Sequence, residues 1–203
     1  MGKIILMNGS CHENGNTYIA LEEIRKELEK RGVEAEHLWL GTGPVQDCTA
    51  CGGCKGSGIC SFDGDAVNAI IRDLDSISGI IAGSPVYYGG PSGRICSILD
   101  RLFYASGPQW AGKIGASVVV CRRGGATASF ERLNQFFLMN NMVVPASQYW
   151  NQVHGRRPGD ALEDAEGLQT MRTLAANIAW LLENIGDSKA PAYEPVVMTS
   201  FVR

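Results

Sequence analysis

Charge is sparse in this chain and is not concentrated anywhere. Only 19% of its 203 residues are Asp, Glu, Lys or Arg, and the net charge is −3. Lys and Arg are scattered without a basic stripe, which argues against a phosphate backbone, and so against nucleic acid, as a partner. Long membrane-grade hydrophobic runs are missing too. The N-terminal MGKIILMNGS holds a short apolar stretch ending at Asn8, too brief for the h-region of a signal peptide. The uncharged stretch from Ser76 to Arg94 is interrupted by Gly79, Gly83, Pro85, Gly89, Gly90, Pro91 and Gly93, which suits a strand and a loop rather than a bilayer span. A cytoplasmic protein with no membrane partner is therefore expected. With 45% apolar residues the chain is not of the disordered class. At this length it buries roughly 70% of its unfolded surface and needs no disulfide staples. The seven cysteines then call for another explanation, and in a reducing compartment that is metal or redox chemistry.

Short apolar, β-branched segments recur along the chain: Lys3 to Met7, Val33 to Leu40, Ile77 to Gly83, Ile114 to Cys121 and Met142 to Ala146. Helical periodicity fills the intervals. Tyr18, Leu21, Ile24 and Leu28 form one stripe, ended by Gly32; Ile95, Ile98, Leu99, Leu102 and Phe103 form another; Phe130, Leu133, Phe136 and Phe137 a third; Leu168 through Ile185 a last. Alternating β and α segments with near-continuous apolar strands imply a parallel sheet covered on both faces. The expected fold is α/β, a flavodoxin-like three-layer sandwich with a five-stranded parallel sheet in the order 2-1-3-4-5. The expected domain spans 1–186 with a cysteine-rich insertion at about 41–64, followed by a C-terminal arm at 187–203. Ligands of such sheets lie beyond the carboxyl ends of the strands, so the loops after strands one, three and four carry the functional interest.

The first of these, Asn8 to Thr17, is dense in small, hydroxyl and amide residues. Backbone N–H groups at a helix start, with the Ser10 and Thr17 hydroxyls and His12, Asn14, Gly15 and Asn16 around them, suit a phosphate. The same letters also fit a plain helix start, with Asn14 or Asn16 as N-cap and Gly9 and Gly15 as turn formers. The loop lacks the Gly-Lys-Ser/Thr ending of a nucleoside-triphosphate loop, and the chain has no G-x-G-x-x-G. Cys11 raises the option of a low-molecular-weight tyrosine phosphatase, but that pattern needs Arg where this chain has Thr17. Without the guanidinium, phosphoryl transfer lacks its electrostatic support.

Between strand two and the next helix, Gly41 to Gly64 contains seven glycines and four of the seven cysteines, spaced Cys48-x2-Cys51-x2-Cys54-x5-Cys60. This tight run is similar to the ligand run of bacterial ferredoxins, whereas zinc sites more often use two separated C-x2-C pairs. A [4Fe–4S] cluster is favoured over zinc, with four reduced thiols that bind nothing as the bland alternative. Cys96, in an apolar helix, and Cys121, at a strand end, read as core residues. After strand three, Pro85, Val86, Tyr87, Tyr88 and Gly89 combine rigid, aromatic and glycine backbone in a way that suits the faces and edge of an isoalloxazine ring; a tight turn with core tyrosines is the alternative. After strand four, Arg122, Gly124 and Gly125 border the same pocket, unless the arginines there are simply solvated.

Gly9-Ser10 with Gly15-Asn16-Thr17, the four-cysteine run, Ser84-Pro85-Val86-Tyr87, Asp100-Arg101, Arg122 to Gly125, Tyr149-Trp150 and Asp164 to Leu168 together resemble the NADPH-dependent FMN reductases, and among them the iron–sulfur flavoproteins. The resemblance implies FMN as cofactor, its phosphate near Ser10, Asn16 and Thr17 and its ring against Pro85 to Gly89 and the Arg122 to Gly125 loop. It also implies NAD(P)H as co-substrate, a small-molecule electron acceptor or redox protein as partner, and a homodimer or homotetramer with the cluster near the flavin. Relatives often carry Pro and Arg where this loop has Cys11 and His12, so phosphate affinity is expected to be weaker or pH-sensitive here. A non-enzymatic electron carrier resembling flavodoxin and a zinc-stapled binding module are the rival readings. The cofactors carry the chemistry in the preferred one, and no catalytic side chain is assigned.

Overall fold

The computed structural model describes residues 2–185, 190–195, 197 and 199. About half of the arm expected at 187–203 therefore lies outside the described residues. In chain order the elements are β1 (Lys3–Asn8), α1 (Asn16–Lys30), β2 (Ala35–Trp39), α2 (Ala66–Arg72), β3 (Ile77–Tyr87), β4 (Gly90–Pro91), α3 (Gly93–Ser106), β5 (Ile114–Cys121), α4 (Ala126–Met139), β6 (Gln152–His154) and α5 (Ala165–Ile185). The sheet runs β2-β1-β3-β5-β6, with these neighbours parallel and the two-residue β4 antiparallel to β3. Counting the parallel strands alone, this is the 2-1-3-4-5 order.

Side chains alternate across each strand, and that period of two divides the core. From β1, Ile4 and Leu6 face α1 and α5, among Leu21, Ile24, Leu28, Leu174 and Ile178. Ile5 and Met7 face the other way, into a cluster with Ile70, Ile98, Leu102, Phe103 and Phe137 from α2, α3 and α4. Helices thus cover both faces, as a parallel sheet requires. Among the described residues no helix is long and apolar enough to cross a membrane.

Two strand expectations need correction. Of Met142 to Ala146, only Val143 pairs with the sheet, as a single bridge to Ile114. Pro145 has no N–H to continue the ladder, and the chain leaves the edge there. It returns as β6, where Gln152 to His154 pair with Val119 to Cys121. Its flanking residues are polar, so the period gave no sign of it. β3 also outruns its expected end at Gly83. Ser84 and Pro85 continue the ladder opposite Val119 and Val120, and Val86 and Tyr87 then pair with β4. The stretch read as a loop is thus the end of a strand and a hairpin, turning at Tyr88 (φ 50°) and Gly89 (φ 80°). Two consecutive positive φ values are what a tight two-residue hairpin demands, and Gly89 meets them without steric cost.

Candidate functional site

Three loops meet at the carboxyl rim of the sheet. After β1 the chain folds back on itself: the Asn8 carboxamide donates to the Glu13 carbonyl (2.9 Å) and accepts from the Ser10 N–H (3.0 Å), while the Ser10 hydroxyl accepts from the His12 N–H (3.1 Å). The Trp39 indole, at the end of β2, donates to the Ser10 carbonyl at 2.9 Å. Gly15 occupies the N-cap of α1 and no side chain caps the helix. The expected Asn caps are therefore not made, and the first-turn N–H groups are left for water or an anion.

Asn16 points elsewhere. Its carboxamide donates to the Arg157 carbonyl (2.9 Å) and accepts from the Ala161 N–H (3.2 Å), which ties the helix start to the segment after β6. Ser10 and Thr17 are buried under the loop, and His12 and Asn14 are exposed on it.

The second and third loops close on the first. The Ser92 hydroxyl, which caps α3, donates to the Gly9 carbonyl (2.8 Å), and the Ser92 N–H donates to the Ser84 hydroxyl (2.8 Å). The Cys11 sulfur and the Tyr87 hydroxyl are 3.4 Å apart, and this contact together with burial pushes the Tyr87 phenol up to about 12. On the other side, Gly125 (φ 87°) abuts the hairpin so closely that a Cβ there would stand 2.7 Å from the Gly89 Cα and 2.9 Å from a Val86 methyl. Pro85, Val86, Tyr87, Tyr88, Gly89, Gly124 and Gly125 thus share one rim. Arg122 and Arg123 lie exposed beside it, in no ion pair among the described residues.

A second feature lies beside α3. Cys48, Cys51, Cys54 and Cys60 all line one cavity of about 380 Å³, whose wall includes Arg101 and Tyr104 of that helix. The Cys54 thiol reaches the Tyr104 carbonyl and the Cys51 thiol the Ser61 hydroxyl, each at 3.8 Å. The Gly53 backbone N–H, helped by that hydroxyl, holds the Cys51 thiol below its ordinary range. Among the described residues no three His, Cys, Asp or Glu side chains converge tightly enough to grip one metal ion. A water molecule occupies about 30 Å³ in the liquid, so the cavity is an order of magnitude larger than a single small guest. Cys121 is buried and Cys96 half-buried, and burial pushes both thiols up, as suits core residues.

Sequence reasoning had marked Arg101 only as part of a resemblance. Its signal was present: a charge three residues after Ile98, inside an apolar helical stripe. Trp39 left none, since an aromatic at a strand end reads as ordinary packing.

A model of the NADPH-dependent FMN reductase family matches residues 2–155. The chain belongs to the NADPH-dependent FMN reductase family. Membership makes it an FMN-dependent oxidoreductase. This reductase-family chain is 32% identical over 191 residues to an iron-sulfur flavoprotein of Methanocaldococcus jannaschii, an overlap of 90% of this chain and 98% of that one. Among solved structures, RosB with bound 8-demethyl-8-formylriboflavin-5'-phosphate aligns with 100% of the reductase-family chain and 94% of its own, at a TM-score of 0.71 and 13% identity. An archaeal flavodoxin aligns over 90% and 99% of the two chains, at 0.59 and 17%. These two likenesses concern the fold.

Proposed function

We propose that this chain takes hydride from NAD(P)H onto FMN at the sheet's carboxyl rim and delivers electrons singly through a [4Fe–4S] cluster held by Cys48, Cys51, Cys54 and Cys60. When bound, FMN accepts a hydride and can release its electrons one at a time, and the cluster relays single electrons. The observation that carries the reading is that all four cysteines of the compact run line a single cavity built against α3, the helix whose capping Ser92 also anchors the rim loop at Gly9. The cavity's size and its four sulfur donors fit a polynuclear centre.

The chain's own groups do the remaining work. Uncapped N–H groups at the start of α1, with Ser10 and Thr17 beneath, bind the phosphate. Arg122 supplies positive charge at the rim. Tyr87 keeps its proton at all working pH values and serves as a neutral wall and hydrogen-bond donor. The hairpin at Tyr88 and Gly89, packed against the Gly124–Gly125 turn, forms one wall for the ring and excludes water. Arg101 lies eight residues beyond Gly93 on the helix, about 12 Å at 1.5 Å per residue, so α3 provides a short rigid bridge from rim to cavity. A small acceptor or a redox protein receives the electrons, in the cytoplasm, from a homodimer or homotetramer.

The test is an anaerobic preparation analysed for FMN, iron and sulfide and then mixed with NADPH or NADH. Stoichiometric FMN with about four irons, and prompt bleaching of flavin absorbance, support the proposal. Bound FMN that stays oxidised in excess nicotinamide favours the electron carrier instead, and a colourless protein with stoichiometric zinc the binding module.

A further inference from the structure

Among the described residues Arg101 is the only charged side chain that is buried, at 2% exposure. Burying a guanidinium is costly unless every donor finds a partner, and here each partner lies in the cysteine-rich segment or at its end. The two Nη groups clasp the Asp65 carboxylate, one of them at 3.2 Å. They also donate to the Phe62 carbonyl (2.9 Å) and the Gln46 carbonyl (3.3 Å), while the Phe62 ring stacks at 4.7 Å. Gln46 precedes the cysteine run and Phe62 follows it, so a single group on α3 closes the segment at its base. The remaining donor, Nε–H, is directed at the Cys60 sulfur, 3.3 Å away. A clamp that served only the backbone would have no use for that bond.

We propose that Arg101 is a positioning residue that fixes Cys60 on the cavity and raises the reduction potential of the metal–sulfur centre seated there. The inference rests on the reading of the cavity as the seat of such a centre. One-electron reduction adds a unit of negative charge, which an N–H donor to a ligand sulfur and a fixed positive charge beside it both stabilise. Asp65, paired with the same guanidinium, works in the opposite sense, because it neutralises part of that positive charge. The two residues therefore pull the potential in opposite directions, although both help to hold the segment together.

Those opposing signs provide the test. Full-length wild type, Arg101→Gln, Arg101→Lys and Asp65→Asn are purified anaerobically, assayed for iron and sulfide, and titrated redox-potentiometrically with EPR detection of the reduced centre. The expected result is a lower potential in Arg101→Gln, an intermediate one in Arg101→Lys and a higher one in Asp65→Asn. Should Arg101→Gln take up no iron, the opposite displacements of the Lys and Asn variants decide the matter. Loosening of the segment alone would move all variants the same way, and that outcome, or unchanged potentials in iron-loaded variants, overturns the role of Arg101 while leaving the cavity's function intact. Wild type devoid of iron and sulfide overturns both.

Discussion

The Cys11 sulfur rests 3.4 Å from the Tyr87 hydroxyl, joining the loop after β1 to the end of β3 across the mouth of the rim. The contact has a spectroscopic consequence. Because Cys11 and burial raise the Tyr87 phenol to about 12, this tyrosine should ionise later than an ordinary one near 10. Absorbance at 295 nm followed against pH is expected to show a late titration step from Tyr87 that moves to lower pH in Cys11→Ala. The effect on stability has a definite sign: the folded state holds its proton more tightly, so the contribution is present below pH 10 and is lost as pH rises through 12. A tyrosine titration identical in the two proteins would mean the pair does not form.

Cys51 should be the most readily alkylated of the four clustered thiols. The Gly53 N–H and the Ser61 hydroxyl favour its thiolate, and the side chain is exposed. Brief iodoacetamide treatment of metal-free protein near pH 7.5, followed by peptide mass mapping, is expected to find Cys51 modified ahead of Cys48, Cys54 and Cys60. Reconstitution with iron and sulfide beforehand should protect all four together. Labelling of Cys51 that persists after reconstitution would count against its place in the ligand set.

Much of this architecture was legible because it follows from periodicity. Tyr18, Leu21, Ile24 and Leu28 report a buried helical stripe, and the compact cysteine spacing places four thiols along one cavity, since C-x2-C turns keep them local. What stayed hidden depends on distant partners. No pattern in Gln152 to His154 reveals a strand, because its pairing comes from Val119 to Cys121 after Pro145 has ejected the preceding segment. Asn16 looked like a phosphate contact or a cap by its position, yet its carboxamide is bound to Arg157 and Ala161, well over a hundred residues away in sequence. Arg101 entered only through the resemblance, because its partners Gln46, Cys60, Phe62 and Asp65 lie in a distant loop whose placement no local pattern gives.

Glu22 offers a test of the surface electrostatics away from the rim. The Arg25 guanidinium, with His37 assisting, lowers the Glu22 carboxyl to about 2, against an opposing effect of burial. A depressed carboxyl stabilises the fold above its unfolded value near 4.5 and ceases to do so as pH falls toward 2. Urea unfolding of Glu22→Gln should therefore show a deficit at pH 6, of about 1 kcal/mol or less because solvent screens the pair. The deficit should shrink progressively below pH 4.5. A constant deficit down to pH 2 would point to lost packing rather than lost charge.

Gly125→Ala tests the rim itself. Gly125 sits at φ 87°, where any side chain is strained, and its added Cβ would lie 2.7 Å from the Gly89 Cα, a backbone atom that cannot swing aside. The left-handed conformation costs about 1–2 kcal/mol, and overpacking adds about 1–3 kcal/mol. The cheapest relief is for the hairpin at Tyr88 and Gly89 to move away from the Gly124–Gly125 turn. That displacement breaks the packing that holds the hairpin against the turn beside the proposed flavin site, while the start of α1, proposed above to hold the phosphate, is left untouched. The variant is therefore expected to remain folded by circular dichroism and to bind FMN at least tenfold more weakly in fluorescence-quenching titrations, a tenfold loss corresponding to about 1.4 kcal/mol. Gly43→Ala is the control, since a Cβ at Gly43, a position given no part in the flavin site, meets nothing within 4 Å, and its FMN affinity should stay close to wild type. Equal affinities in all three proteins would show that the contact between hairpin and turn does not shape the flavin site.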